Sequence, residues 1–183
     1  LSLHDALPIC GFFSELLFNT KKDKTPADLF NNILSTNKSI MVFASKIPVH
    51  DLEELERREL AHYNNMVITL SQVAKTVINI GPEIEEIESS ENTSVSQLMI
   101  LICDTTNSNL VLLHKILEES LEKQTLEVYN NQIKQDYKMV VEKIAEAIEK
   151  KLIQEKDISL LLMVNGMATQ TIRQLFRTLE KLI

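Results

Sequence analysis

Hydrophobic positions along the chain recur at three- and four-residue steps, most informatively between Val95 and Leu121. There Val95, Leu98, Met99, Ile102, Leu113, Ile116, Leu117 and Leu121 form the stripe that a helix buries. Asp104 to Asn109 interrupts the stripe with polar side chains. Continuing the period through the interruption places Thr106 and Asn109 on the inward face, so the spacing predicts a long core helix with a polar waist.

The same reading divides the rest of the chain. Thr25-Pro26-Ala27-Asp28 is a helix start: a capping hydroxyl, a proline at the first helical position, and a carboxylate near the positive helix end. This helix is expected to bury Leu29, Phe30, Ile33, Leu34, Ile40, Met41, Phe43 and Ile47, with Ser35–Ser39 as a polar interruption and Pro48 as its end. A second helix begins at Asp51 and steps through Leu60, Tyr63, Val67, Leu70, Ala74 and Val77, a heptad-like seam. Gly81-Pro82 is expected to stop it. The acidic Glu83–Glu91 segment then reads as a loop or short turn before a cap at Asn92, Thr93 or Ser94. A further helix from near Thr125 carries Leu126, Tyr129, Ile133, Tyr137, Val140, Ile144 and Ile148. The last, capped by Asp157, carries Ile158, Leu161, Leu162, Ile172, Leu175, Phe176 and Leu179. Its stripe also has a polar middle, Asn165 and Thr169. No segment alternates with period two for long enough to be a strand. The expected fold is all-α, an up-and-down antiparallel bundle of about five to six helices.

Composition narrows the function classes. In 183 residues there are only 3 Gly and 4 Pro, which suits long helices with few turns. A net charge of −7 without a basic stripe argues against a nucleic-acid footprint. Two cysteines, Cys10 and Cys103, make no disulfide scaffold, and Cys103 reads as a small buried thiol. No apolar run approaches the roughly 20 residues of a membrane span. Residues 1–9 look like one reading frame of a common sequencing-library adapter and are set aside from fold reasoning. Residues 10–24 are a tail or linker: Cys10–Phe18 reads either as the end of a larger preceding segment, a membrane helix included, or as a short helix on the bundle. Residues 25–183 form the helical bundle itself.

Candidate chemistry is sparse. Glu59-Leu60-Ala61-His62 matches the Glu-x-x-His unit of di-iron bundles, but such a site needs a second copy, and Val111 stands three residues before His114. An exposed helix face is the simpler reading. His50, beside Pro48 and Asp51, belongs to a cap, and His114 to the edge of the polar waist. No nucleophile with an oriented base is legible, and there is no glycine-rich phosphate loop. Catalytic, cofactor and metal residues are therefore expected to be none. The polar waists remain. Packed antiparallel, their helices would bring Thr106 and Asn109 level with Asn165 and Thr169. Buried amides and hydroxyls cost about 1–3 kcal/mol each unless partnered, so the expectation is a mutually satisfied layer that fixes helix register, in preference to a ligand site.

Leu70-Ser71-Gln72-Val73-Ala74-Lys75-Thr76-Val77-Ile78-Asn79-Ile80 resembles the signature helix of the PhoU (phosphate-uptake regulator) family, which reads approximately Asp-Leu-Glu-Arg-Ile-Gly-Asp, three variable residues, then Asn-Ile. Leu70, Val73, the small Ala74, Asn79 and Ile80 fit it. A fainter copy lies at Val164-Asn165-Gly166-Met167-Ala168-Thr169, about one three-helix family repeat further on. The resemblance implies a non-catalytic regulatory or accessory domain of a phosphate-transport-type membrane protein, as at the cytoplasmic C-terminus of sodium/phosphate cotransporters. Its partners would be its own upstream membrane domain or a second copy, met through Leu126–Leu152 or Glu83–Glu91, at the cytoplasmic face of the inner membrane. Where the family places metal-binding carboxylates this chain has Ser71 and Lys75, and Asn165 and Thr169. Neutral oxygens and an ammonium do not replace carboxylates around a hard cation, so the family's metal clusters are expected to be missing. The alternatives are a helical signalling or scaffold tail of another membrane protein and a metal-binding helical bundle, with the cytoplasm as the alternative location.

Overall fold

A computed structural model describes residues 26–119 and 123–180. The expectations for residues 1–24, for the Thr25 cap and for Leu121 lie outside the described residues. Five α-helices account for nearly all of these: α1 Pro26–Ala44, α2 Glu54–Glu88, α3 Thr93–Glu119, α4 Lys123–Glu149 and α5 Glu155–Glu180. A single 3-10 turn, Val49–Asp51, joins α1 to α2, and no strand occurs among the described residues. The fold is an all-α helical bundle. The chain separates into two compact units, divided between Ile78 and Asn79, so that α2 contributes to both.

In the first unit, α1 is continuous through the polar Ser35–Ser39 stretch. The helix survives there because Asn37 turns inward and is buried, where its Nδ2 donates to Ser71 Oγ at 2.6 Å and more weakly to the Val67 carbonyl at 3.4 Å. Among the described side chains of α1, Ile33 is the one buried apolar residue that joins it; Leu34, Met41 and Phe43 are exposed. Ile33 and Asn37 form an i, i+4 row, with Phe30 and Ile40 half-buried. The second helix starts at Glu54 and not at Asp51, which sits in the 3-10 turn. Glu53 is its cap: the Glu53 backbone N–H donates to Glu56 Oε2 at 2.9 Å, the N3 half of a capping box.

Gly81-Pro82 does not end α2, which runs on to Glu88. Proline in a helix interior costs about 3 kcal/mol, and glycine about 1. Against this, Ile80 and Ile87 are buried and Ile84 is half-buried, all three on the core of the second unit. Each buried isoleucine contributes roughly 1.5–3 kcal/mol. The stripe Val77, Ile80, Ile84, Ile87 keeps its three- and four-residue steps across the Gly-Pro pair, and burial outweighs the break. The acidic segment is thus helical up to Glu88.

The second unit is organised by α3, α4 and α5, each packed against the other two. Its core holds Val95, Leu98, Met99 and Ile102 of α3, Val140, Ile144 and Ala147 of α4, and Leu161 and Val164 of α5. Short connections make consecutive helices alternate in direction. Hence α3 and α5 run parallel. A hydrogen bond from Asn92 Nδ2 to the Leu152 carbonyl (2.9 Å) ties the start of α3 to the turn that precedes α5. Asn92 is also the α3 cap: its Oδ1 accepts the Ser94 N–H at 2.9 Å and the Val95 N–H at 3.4 Å.

Helix α4 closes with a Schellman pattern, Leu152 N–H to Ala147 O and Lys151 N–H to Ile148 O, both 2.9 Å. Lys151 occupies the left-handed position at φ 55°, where glycine is the usual residue. Ile148 is exposed, and Ala147 is the buried residue of that turn. At the start of α5, Asp157 is not the cap. It is the third helical residue, buried, and its Oδ2 accepts the backbone N–H of the true cap, Gln154, at 3.1 Å.

Candidate functional site

The polar waists are the natural place to look for a site. Thr106, Asn109 and Asn165 are buried as their periodicity requires, while Thr169 is half-buried. They do not form one layer. Thr106 Oγ1 donates back to the Ile102 carbonyl at 2.7 Å, within its own helix. Asn109 Nδ2 donates to the Thr105 carbonyl (2.9 Å) and to Asp136 Oδ2 of α4 (3.0 Å). No hydrogen bond joins either residue to Asn165 or Thr169, and Asn165 Nδ2 and Asn109 Oδ1 are buried without partners. The reason is register. Asn109 meets α4 at Asp136, and the next residue, Tyr137, meets α5 at Arg173. Arg173 lies roughly 12 Å of helix rise beyond Asn165 and ~6 Å beyond Thr169. In parallel helices entered from the same end, the two waists fall at different heights.

Asp136 is the residue that sequence reading missed. Besides Asn109, Gln132 Nε2 donates to its Oδ1 at 2.7 Å, so neutral amides engage both carboxylate oxygens. Its only sequence signal is a carboxylate one position from the apolar row of α4.

Two clefts flank α4. Between α3 and α4 lies a cleft of about 610 Å³ whose lining includes Asp104, Thr105, Ser108, Val111, Tyr129 and Asp136. It mixes carboxylates and hydroxyls with exposed apolar side chains. Beside it, the half-buried Cys103 packs against the core, and burial, helped by the Glu88 and Asp104 carboxylates, pushes its thiol up to about 11. A thiol held protonated in this way is a packing group.

Between α4 and α5 lies a second cleft of about 410 Å³, lined by Tyr137, Gly166, Thr169, Gln170, Gln174, Arg173 and Arg177. No carboxylate lines it. The Arg173 guanidinium stands 6.0 Å from the centroid of the Tyr137 ring, and its Nε is buried without a hydrogen-bond partner. Gly166 is not required sterically, since a Cβ there would meet nothing within 4 Å.

The remaining candidates stay apart. Glu59 is exposed, and the half-buried His62 packs its ring 6.1 Å from that of Tyr63. His50 pairs with Asp51 at 3.4 Å on an exposed turn. Among the described residues no three His, Cys, Asp or Glu side chains come together as a metal site would need. At the signature positions of α2, Val73 and Ala74 are fully buried, Ser71 is half-buried in the Asn37 hydrogen bond, and Lys75 is exposed. No helix among the described residues is long and apolar enough to cross a membrane. No family model, curated protein or solved structure matches the chain.

Proposed function

We propose that the chain is a PhoU-like helical domain acting as a non-catalytic regulatory or accessory part of a phosphate-transport-type membrane protein, on its cytoplasmic side. The observation that carries this reading is the environment of Ser71. In the resembled signature this place belongs to a carboxylate ligand; here Ser71 Oγ accepts a 2.6 Å hydrogen bond from Asn37 of the neighbouring helix and donates to the Val67 carbonyl at 3.0 Å. A position used for metal binding in the family serves as a helix-to-helix link. The fully buried small residue Ala74 in the glycine place lends further support, as does the succession of two helical units. Such a domain works through helix contacts with its own membrane portion or with a second copy.

The test is to recover the gene upstream of Cys10 and express the whole protein with and without residues 26–183. Apolar spans carrying transporter repeats, together with phosphate uptake altered by the deletion, support the reading. A soluble upstream region, or uptake indifferent to the deletion, overturns it.

A further inference from the structure

The cleft between α4 and α5 holds two arginines that form no ion pair among the described residues. Of four arginines in the chain, Arg57 and Arg58 reach Glu54 at 4.0 and 3.0 Å. Arg173 and Arg177 have no carboxylate partner among the described residues. They stand one helical turn apart on α5, so their side chains share a face. The Arg173 guanidinium carbon stands 6.0 Å over the centroid of the Tyr137 ring, a cation–π contact that does not use its N–H donors. One of them, Nε, is out of contact with water and has no protein acceptor. A buried donor left unmade costs about 1–3 kcal/mol, and native structures rarely tolerate it without a use.

From this geometry we infer that the α4–α5 cleft is a binding site for a small phosphorylated ligand, its phosphoryl group held by Arg173 and Arg177. Paired guanidinium forks match the tetrahedral oxyanion and supply charge-assisted hydrogen bonds. Around them Thr169, Gln170, Gln174 and the Tyr137 hydroxyl offer neutral donors and acceptors for the rest of the molecule. A cleft of about 410 Å³ is at the small end of ligand pockets, fitting a metabolite and not a polymer. The absence of any lining carboxylate removes the repulsion that an anion meets on most of this acidic surface. The inference rests on α4 and α5 and does not depend on the reading of the α2 signature.

Calorimetric titration of the whole chain tests it, with inorganic phosphate, glycerol phosphate and acetate as separate probes. Saturable binding of the phosphates, weakened about tenfold or more in Arg173→Lys and Arg177→Gln, is the expected result. Arg173→Lys keeps the charge and loses the fork, so it separates recognition from simple attraction. Gln174→Glu places a negative charge in the cleft without touching either arginine and should weaken binding as strongly; it also guards against an arginine variant that fails to fold. Inorganic phosphate alone binding points to a free-anion site, and glycerol phosphate binding more tightly points to the organic ligand; either supports phosphoryl recognition. No saturable heat with either phosphate up to about 10 mM, which corresponds to binding weaker than roughly 3 kcal/mol, overturns the inference. So does acetate binding as tightly as phosphate, or unchanged affinity in all three variants.

Discussion

Replacing Pro82 with alanine should stabilise the protein, and the size of the effect reports whether α2 is continuous. Pro82 is exposed and interior to the helix. It deprives the Ile78 carbonyl of its N–H partner and presses its ring on the preceding turn. Alanine is about 3 kcal/mol better in a helix interior. Part of that is returned, because proline also restricts the unfolded chain by about 0.4–1 kcal/mol. The net gain is about 2 kcal/mol. With a urea dependence of about 2 kcal/mol per molar, the midpoint should rise by about 1 M at unchanged slope. Hydrogen exchange gives the local counterpart, with the amides of Glu83–Glu88 becoming more protected. A midpoint that stays put or falls would mean that the backbone breaks at Gly81-Pro82 and that the isoleucine stripe does not carry the helix across. The complementary change, Ile87→Ala, removes one of the anchors and should cost about 2–5 kcal/mol.

Other consequences can be checked by simpler means. Lys151→Gly relieves a left-handed backbone at φ 55° and should raise stability by about 1 kcal/mol, read from the same urea curves. Asp157→Ala leaves the Gln154 N–H without its acceptor and should lower stability by about 1 kcal/mol, while Asp157→Asn retains part of it. In a Cys10→Ser background, the Cys103 thiol should react with a disulfide reagent far more slowly than a free thiol at pH 8, and speed up only towards pH 11. Because its folded pKa lies above the ordinary 9.0, its contribution to stability is intact below pH 9 and is lost as the pH rises towards 11. A Cys103 that reacts at the rate of a free thiol at pH 8 would contradict the burial.

Periodicity made the helices legible because a buried stripe is a local property of sequence. Ile33, Val67, Val77, Ile102, Ile133, Ile144 and Leu161 are buried where the three- and four-residue steps place them. What the steps do not encode is which neighbour a stripe meets. The Gly-Pro pair reads as a stop from local propensity, yet Ile84 and Ile87 gain burial from helices that follow much later in the chain. The waists failed for a related reason. Burial of Thr106, Asn109 and Asn165 follows from their own helices, but their mutual height depends on α3 and α5 being parallel, which only the chain's three-helix path decides. Arg173 and Arg177 are not legible as a site in the sequence because two isolated basic residues on a helix carry no motif. Their meaning comes from Tyr137, brought alongside from another helix.

One helix serving both units has a practical corollary for anyone dividing this protein. A cut after Ile78 leaves residues 79–88 as a ten-residue stub whose first amide groups have lost every acceptor upstream. Segments that short do not hold helical shape in water by themselves. The C-terminal half expressed from Asn79 would therefore need a grafted cap, or several extra turns of native sequence, to keep Ile80 and Ile87 seated.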